Sequence, residues 1–239
     1  MLSVTPNDCV VTNPRVCVAI ADFLNEHGLS DIALAEGSTC GVTNTAGTIE
    51  GFKNNGYADY EHKWRMVDLN NDEAGQWFRT YSPGLDFEAE LGIAETVTEG
   101  FVISAAKFKT HDVLGLTLSL KNMMDSICKV RNASTGKTIA NGGKTKTYMH
   151  GFGEKGPSKL PREITITSSK VALAANILRL VKRVKPGLTV IDGLVAMEGN
   201  GPLNGSKKEL NIENFDLLCF LMVCLVSCWI MRRRVLDSF

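Results

Sequence analysis

The chain has 239 residues, 44% of them hydrophobic and 22% charged, a composition that excludes a disordered or collagen-like protein and fits a single α/β domain. Residues 1–100 hold 16 Asp and Glu against 5 Lys and Arg, whereas residues 101–239 hold 10 against 21. This asymmetry indicates either a basic ligand-facing cleft or pairing between the two halves; because the basic residues are not interleaved with aromatic ones, no nucleic acid partner is expected.

The amino-terminal part of the chain predicts a helix and then a strand. Asn13 is a suitable N-cap, Pro14 suits the first helical position, and an apolar stripe ends before Gly28. Residues 31–36 predict a short buried strand. Further along we expect a short helix at 49–55 within a loop at 40–63, a strand at 65–69, and an acidic link or surface excursion at 70–99.

Two stronger strand candidates follow, Phe101–Ala106 and Leu188–Ile191. Between them, the pattern predicts a helix over 116–127, a long exposed or ligand-covering loop over 132–159, a short strand at 163–167, and an amphipathic helix between Ser169 and Pro186.

Strands that alternate with helices predict an α/β fold with a mostly parallel sheet and helices on both faces. Ligands of such sheets bind beyond the carboxyl ends of the strands. Three polar loops are expected at those ends: Glu36–Ser38, Lys107–His111 and Asp192–Pro202.

Positive side chains crowd the exit of the strand at Phe101–Ala106. Lys107, Lys109 and His111 come directly after it, and Lys121 follows one short segment later. Burying unpaired cations is costly, so these groups face water or an anion. Together they would bind a carboxylate or phosphate, with His111 as the acid/base group. Alternatively, the lysines pair with separate carboxylates of the acidic half.

The end of the second strand carries carboxylates and glycines. Asp192 and Glu198 could bind a metal, act as a base or pair with the lysines, and the sequence leaves these alternatives open. Gly199 and Gly201 would let the backbone approach a ligand closely. His150, in the long polar loop, is either a second histidine for acid/base or metal chemistry or a surface residue.

The seven cysteines form no Cys-x-x-Cys pair and have no histidine at ligand spacing, so an iron–sulfur or zinc motif in this chain is not supported. Their odd number and the lack of an amino-terminal signal peptide favour a cytoplasmic location. The tail at 207–239 contains a 15-residue apolar run at 217–231, which as a helix would span roughly 22 Å. A bilayer core is about 30 Å thick, so we expect a terminal helix rather than a membrane anchor.

In combination, several blocks are similar to the family called domain of unknown function 362 (DUF362), over about residues 5–206. The blocks are Thr12–Pro14, Glu36–Ser38, Lys107–His111, Gly115–Thr117, Leu120–Asn122, Val190–Gly193 and Met197–Pro202. Members are bacterial and archaeal, and some are fused to ferredoxin-type iron–sulfur modules. The resemblance implies one α/β domain at 1–206, a binding role for Asn122, and a ferredoxin-type protein as an alternative partner.

The resemblance weakens at both ends of the chain. The usual opening strand is reduced to Thr5–Asn7, and the family pattern stops after Gly205, so the sheet is expected to be incomplete at both ends. A frame-shifted segment would explain why residues 207–239 are rich in Cys and Leu and no longer follow the family pattern.

A weaker resemblance links His111 and Lys121 to the nickel-dependent lactate racemases. In those enzymes a histidine precedes a lysine by ten residues, the histidine acts as acid/base, and the lysine bears a nickel-pincer cofactor. The resemblance implies catalytic roles for His111 and Lys121 and, more weakly, a nickel-type cofactor with His150 as a metal ligand.

The sequence thus predicts a cytoplasmic protein that binds an anionic small molecule at a Lys/His site, with acid/base or metal-assisted chemistry. Whether it is an enzyme stays open. The alternative is a redox accessory protein that works with an iron–sulfur partner.

Overall fold

The computed structural model describes residues 6–38, 47–153 and 162–209. In these ranges the helices are α1 (Pro14–Glu26), α2 (Thr48–Asn54), α3 (Glu95–Glu99), α4 (Ser119–Asn122), α5 (Lys146–Met149) and α6 (Arg162–Val181). The strands are β1 (Ala33–Glu36), β2 (Arg65–Asp68), β3 (Ala74–Arg79), β4 (Ala89–Ala94), β5 (Ile103–His111), β6 (Gly115–Thr117), β7 (Ile127–Asn132), β8 (Thr138–Asn141), β9 (Leu188–Glu198) and β10 (Ser206–Glu209).

These strands form three sheets, and the expectation of a mostly parallel sheet is wrong. β1 and β2 form a parallel pair, and β3-β4-β7-β8 is antiparallel throughout. The third sheet has the order β10-β9-β5-β6, in which β5 and β9 are parallel and both edge strands are antiparallel. The chain is therefore α/β with mixed and antiparallel sheets.

The antiparallel sheet comes from segments that the sequence did not mark as strands. The acidic link at 70–99 forms β3 and β4, and the loop at 132–159 contains β8. A turn of five residues joins β7 to β8, with Asn132 accepting backbone hydrogen bonds from Ser134 and Thr135. Strands joined by such short turns pair antiparallel, because a parallel crossover needs a longer connection.

The amino-terminal predictions are confirmed. The side chain of Asn13 accepts a hydrogen bond from the backbone N–H of Arg15 (3.0 Å), and Pro14 begins α1. The predicted strands at 31–36 and 65–69 and the helix at 49–55 correspond to β1, β2 and α2.

Three other predictions need correction. The strand at Phe101–Ala106 continues to His111, so the basic residues lie within β5 rather than in a loop. The helix predicted over 116–127 is divided into β6, α4 and a 3-10 turn at Met123–Ser126. The strand predicted at 163–167 belongs to α6.

Two apolar clusters hold the sheets. One joins the antiparallel sheet to α6 through Leu91, Ile93, Ile127, Leu173 and Leu180, which are all fully buried. The other packs α1 and the β1–β2 pair against β5 and β9, through Cys17, Ala21, Phe52, Trp64 and Met197. The side chains of Lys107, Lys109 and His111 on one face of β5 are thus buried, whereas Phe108 between them is exposed.

The predicted domain ends at residue 206, and β10 extends pairing with β9 to Glu209. The rest of the predicted tail, with its apolar run at 217–231, lies outside the described residues. Among the helices of the described ranges, none combines the length and the apolar composition needed to cross a bilayer.

Candidate functional site

Lys107 and Asp192 form a closed, buried ion pair. They lie opposite each other in the parallel register of β5 and β9, and Lys107 Nζ is 2.8 Å from Asp192 Oδ2. Their side chains are 4% and 0% exposed. Asp192 also accepts hydrogen bonds from the backbone N–H of Asn13 (2.7 Å) and of Leu194 (3.2 Å). Of the alternatives left open for Asp192, pairing with a lysine is the one observed. The two charges therefore neutralise each other.

Lys109 lies two residues further along β5, on the same face as Lys107 because side chains alternate along a strand. Its Nζ donates a hydrogen bond to the backbone carbonyl of Val10 (2.9 Å). Burial lowers the pKa of Lys109 to about 8, although the carboxylates of Asp125 and Glu36 act in the opposite direction. Near neutral pH the amine therefore loses its proton more readily than an exposed lysine.

A small cavity lies beside Lys109. Its volume is about 20 Å³, enough for one water molecule. It is lined by Lys109, Thr117, Lys121, Asn122, Met124, Asp125 and Pro202. A larger ligand requires movement of flexible lining side chains such as Lys121 and Met124. The predicted residues Lys109, Lys121 and Asn122 are thus brought together.

Polar groups in the cavity wall are incompletely paired. The Asn122 amide donates to Ser104 Oγ (3.3 Å), but the buried Thr117 hydroxyl has no hydrogen-bond partner among the described residues. Half-buried Lys121 likewise has neither a hydrogen bond nor an ion pair with any residue that the structure describes. Burial lowers the pKa of Lys121, while the charges of Asp125 and Asp112 oppose this shift.

His111 ends β5 as a neutral imidazole. Its Nδ1 accepts a hydrogen bond from the backbone N–H of Val113 (3.0 Å), which places the ring proton on Nε2. Burial lowers the pKa of His111 to about 4, and the nearby Lys121 contributes in the same direction. Asp112 Oδ1 is also 3.0 Å from Nδ1, but this contact would become an ion pair only if the ring gained a second proton.

His150 lies in the same electrostatic neighbourhood. It caps the end of α5 rather than occupying an exposed loop, and its Nδ1 is 3.0 Å from Ser169 Oγ. Burial first and Lys121 second lower the pKa of His150 to about 4. If Nδ1 donates to Ser169, the lone pair on Nε2 can accept a proton.

Sequence reasoning missed the buried charges behind the cavity, above all Lys146. This lysine of α5 donates hydrogen bonds to the carbonyl of Ile127 and to Asn70 Oδ1 (3.2 Å). Burial lowers the pKa of Lys146, against the attraction of Asp125 and Glu36. The only sequence signal was a Lys inside a Gly- and Lys-rich stretch, which favoured an exposed loop.

Glu36 and Asp125 supply the negative charge of this cluster. Burial raises the pKa of Glu36 to about 7, and the neighbouring carboxylate of Asp125 adds to the shift. The backbone at Gly37 comes so close to Asp125 that an added Cβ would lie 2.1 Å from the Asp125 carbonyl oxygen. A glycine is required there by this close approach.

The remaining predicted ligand groups lie apart from the cavity. Glu198 and Gly199 are exposed at the end of β9. Gly201 is buried because its backbone packs against Thr110; a Cβ there would lie 2.1 Å from the Thr110 carbonyl oxygen. The glycine serves this packing contact, and only its neighbour Pro202 reaches the cavity. Within the described ranges, no group of three or more His, Cys, Asp or Glu side chains is arranged to hold a metal ion.

The structure thus defines an α/β protein with mixed and antiparallel sheets and a small cavity beside Lys109 and Lys121. The chain belongs to the family described as domain of unknown function (DUF362), whose model matches residues 1–215. It is 25% identical, over 209 residues, to the thylakoid-associated protein sll1697 of Synechocystis sp.. That match covers 84% of this chain and 51% of the relative, so the chain spans about half the length of the curated relative. No solved structure matches the chain. The resemblance to lactate racemases is not shown by these comparisons.

Proposed function

We propose that the chain binds a small anion, a carboxylate or a phosphate, in the cavity between β5, β6 and α4. The observation that carries this proposal is the half-buried Lys121 amine, which lines the cavity and has no partner among the described residues. A desolvated cation without a partner is costly, and a bound anion would supply the missing partner.

Three other groups of the cavity suit the same ligand, although the carboxylate of Asp125 lines the same wall. Lys109 would add a second positive charge, and the hydroxyl of Thr117 and the amide of Asn122 would act as neutral donors. His111 and His150 do not line the cavity but lie within the electrostatic reach of Lys121, and His150 would be the proton acceptor in an acid/base step. Lys107 and Asp192 would support β5 and α1 rather than contact the ligand, because they already neutralise each other.

Thermal unfolding in the presence of sodium phosphate, acetate or pyruvate tests the proposal, with sodium chloride at equal ionic strength as the reference. At least one of these anions should raise the melting temperature of the wild-type protein, because a ligand that binds only the folded state stabilises it. The increase should disappear in Lys121→Met. It should persist in Lys137→Met, which removes an exposed lysine on the β7–β8 turn.

The pH dependence offers a second measurement. The increase in melting temperature should diminish between pH 7 and 9, since the pKa of Lys109 is lowered to about 8 and the cavity loses positive charge in that range. Stabilisation that is equal in Lys121→Met and Lys137→Met, or that none of the three anions produces, would contradict the proposal.

The second candidate function is a redox accessory role with an iron–sulfur partner. It rests on the resemblance described from the sequence, which implies that some relatives are fused to ferredoxin-type modules. Absorbance spectra of protein purified without oxygen, alone and with a reduced ferredoxin, would test this role. A cytoplasmic location remains the corresponding prediction for this chain.

A further inference from the structure

Among the four lysines around the end of β5, Lys121 differs from the others. Lys107 pairs with Asp192, Lys109 donates to the carbonyl of Val10, and Lys146 donates to the carbonyl of Ile127 and to Asn70. Each of these three amines is thus held by a fixed partner. The Lys121 amine has no hydrogen bond to a described residue and lines a cavity. Its lone pair, once the amine is neutral, is available for reaction.

The surroundings of Lys121 favour that neutral state. The half-buried amine is desolvated, and a second amine, Lys109, lines the same cavity. Burial lowers the pKa of Lys121 against the opposing charges of Asp125 and Asp112, and the proximity of Lys121 contributes to lowering the pKa of Lys109. A desolvated lysine beside another cation is the arrangement that activates amines as nucleophiles toward carbonyl groups.

We propose that Lys121 forms an imine with the carbonyl carbon of a small oxo acid, whose carboxylate is held by the same cavity. This inference rests on the proposed anion-binding function and names its substrate class. Even the shortest oxo acids, in which the carbonyl and the carboxylate are adjacent, are larger than the single water molecule that the cavity holds, so their binding requires Lys121 and Met124 to move.

The step is balanced without any oxidant or metal. The lone pair of Lys121 Nζ forms the new C–N bond, the C–O bond of the carbonyl breaks, and the oxygen leaves as water with the two amine protons. Lys109, which shares the cavity, can pass a proton to the departing oxygen and recover one from the nitrogen.

Reductive trapping tests the imine on the full chain. The protein is incubated with pyruvate or with glyoxylate in the presence of sodium cyanoborohydride, and labelled lysines are located by peptide mass spectrometry. We expect one predominant adduct, on Lys121, that sodium phosphate reduces by competition. Lys121→Arg, which keeps the positive charge, should lose this adduct, whereas Lys137→Arg should keep it.

The outcomes separate this inference from the proposed function. If phosphate or pyruvate stabilises the protein but neither oxo acid labels Lys121 above the level of exposed Lys137, the imine is overturned and anion binding stands. If no anion stabilises the protein and Lys121 is not labelled, both proposals fail. Labelling that persists at the same extent in Lys121→Arg would also overturn the imine.

Discussion

Lys107 and Lys121 are both withdrawn from water near the end of β5, but they differ in what faces them. Lys107 Nζ is 2.8 Å from the Asp192 carboxylate, which also accepts hydrogen bonds from two backbone N–H groups. Lys121 forms no ion pair with a described residue and lines a cavity that it shares with Asp125. Burial of a lysine therefore does not by itself indicate function. The presence or absence of a partner separates a structural ion pair from a candidate binding group.

The comparison predicts that replacing Lys107 strongly destabilises the fold, whereas replacing Lys121 does not. Lys107→Met leaves the buried Asp192 carboxylate without its counter-ion, and removal of one member of a buried pair costs about 3–5 kcal/mol. Urea unfolding of the variant should show this loss in the free energy of unfolding. The double variant Lys107→Met/Asp192→Asn should recover part of it, because the remaining amide can still accept from Asn13 without carrying charge. If the free energy of unfolding of Lys107→Met fell by less than about 1 kcal/mol, the ion pair would not be a structural one.

The backbone contact of Gly201 with Thr110, next to the cavity residue Pro202, offers the next largest effect. In Gly201→Ala the added methyl group would lie 2.1 Å from the Thr110 carbonyl oxygen, so β5 or the segment before Pro202 must shift. We expect a loss of about 1–3 kcal/mol in the free energy of unfolding, together with weaker stabilisation by phosphate. Gly199→Ala is the matched control, because it has open space and only the strain of a φ of +79°. If phosphate stabilised Gly201→Ala and Gly199→Ala equally, the backbone contact at Gly201 would not affect the cavity.

Local signals in the sequence were sufficient for some elements. Asn13 and Pro14 define the start of α1 because capping depends on neighbouring residues alone. β4 could not be found in this way: acidic residues flank its apolar centre, and its burial depends on pairing with β7, some 40 residues later in the chain. Parallel or antiparallel pairing is likewise set by partners that periodicity does not identify.

The sequence grouped several side chains that do lie near one another, but it did not identify what each of them contacts. Lys109, Lys121, His111 and His150 do share one electrostatic neighbourhood. Lys107 was grouped with them because it is adjacent in sequence, and its partner Asp192 lies 85 positions away. Lys146 was missed since its burial results from α5 packing beneath β7, which a Gly- and Lys-rich segment does not indicate.

Acid stability tests whether His111 is neutral in the fold. Its pKa is about 4 when folded and about 6.5 when unfolded, so the unfolded chain binds more protons between these values and stability falls as the pH is lowered. Glu36 acts in the opposite direction, because its raised pKa of about 7 makes the folded state bind the extra proton between pH 4.5 and 7. Without His111, the stabilising effect of Glu36 protonation should therefore offset more of the loss of stability at low pH.

Between pH 7 and pH 5, the free energy of unfolding of His111→Asn should therefore fall by about 2 kcal/mol less than that of the wild type. Urea unfolding at both pH values measures this difference. The asparagine oxygen can still accept from the Val113 N–H, so the local fold is kept. His27→Asn changes an exposed histidine and should behave as the wild type does. An unchanged pH dependence in His111→Asn would mean that the pKa of the ring is the same in the folded and the unfolded chain.

The smallest expected effect completes the contrast between the two lysines. Lys121→Met removes a desolvated amine that has no partner among the described residues, and the thioether side chain fills a similar space. The free energy of unfolding without added anion should change by less than about 1 kcal/mol, or increase, while the response to phosphate is lost. Urea unfolding with and without phosphate measures both quantities. A loss as large as that of Lys107→Met would show that Lys121 stabilises the fold, because only an amine already engaged in the folded state can cost that much when it is removed.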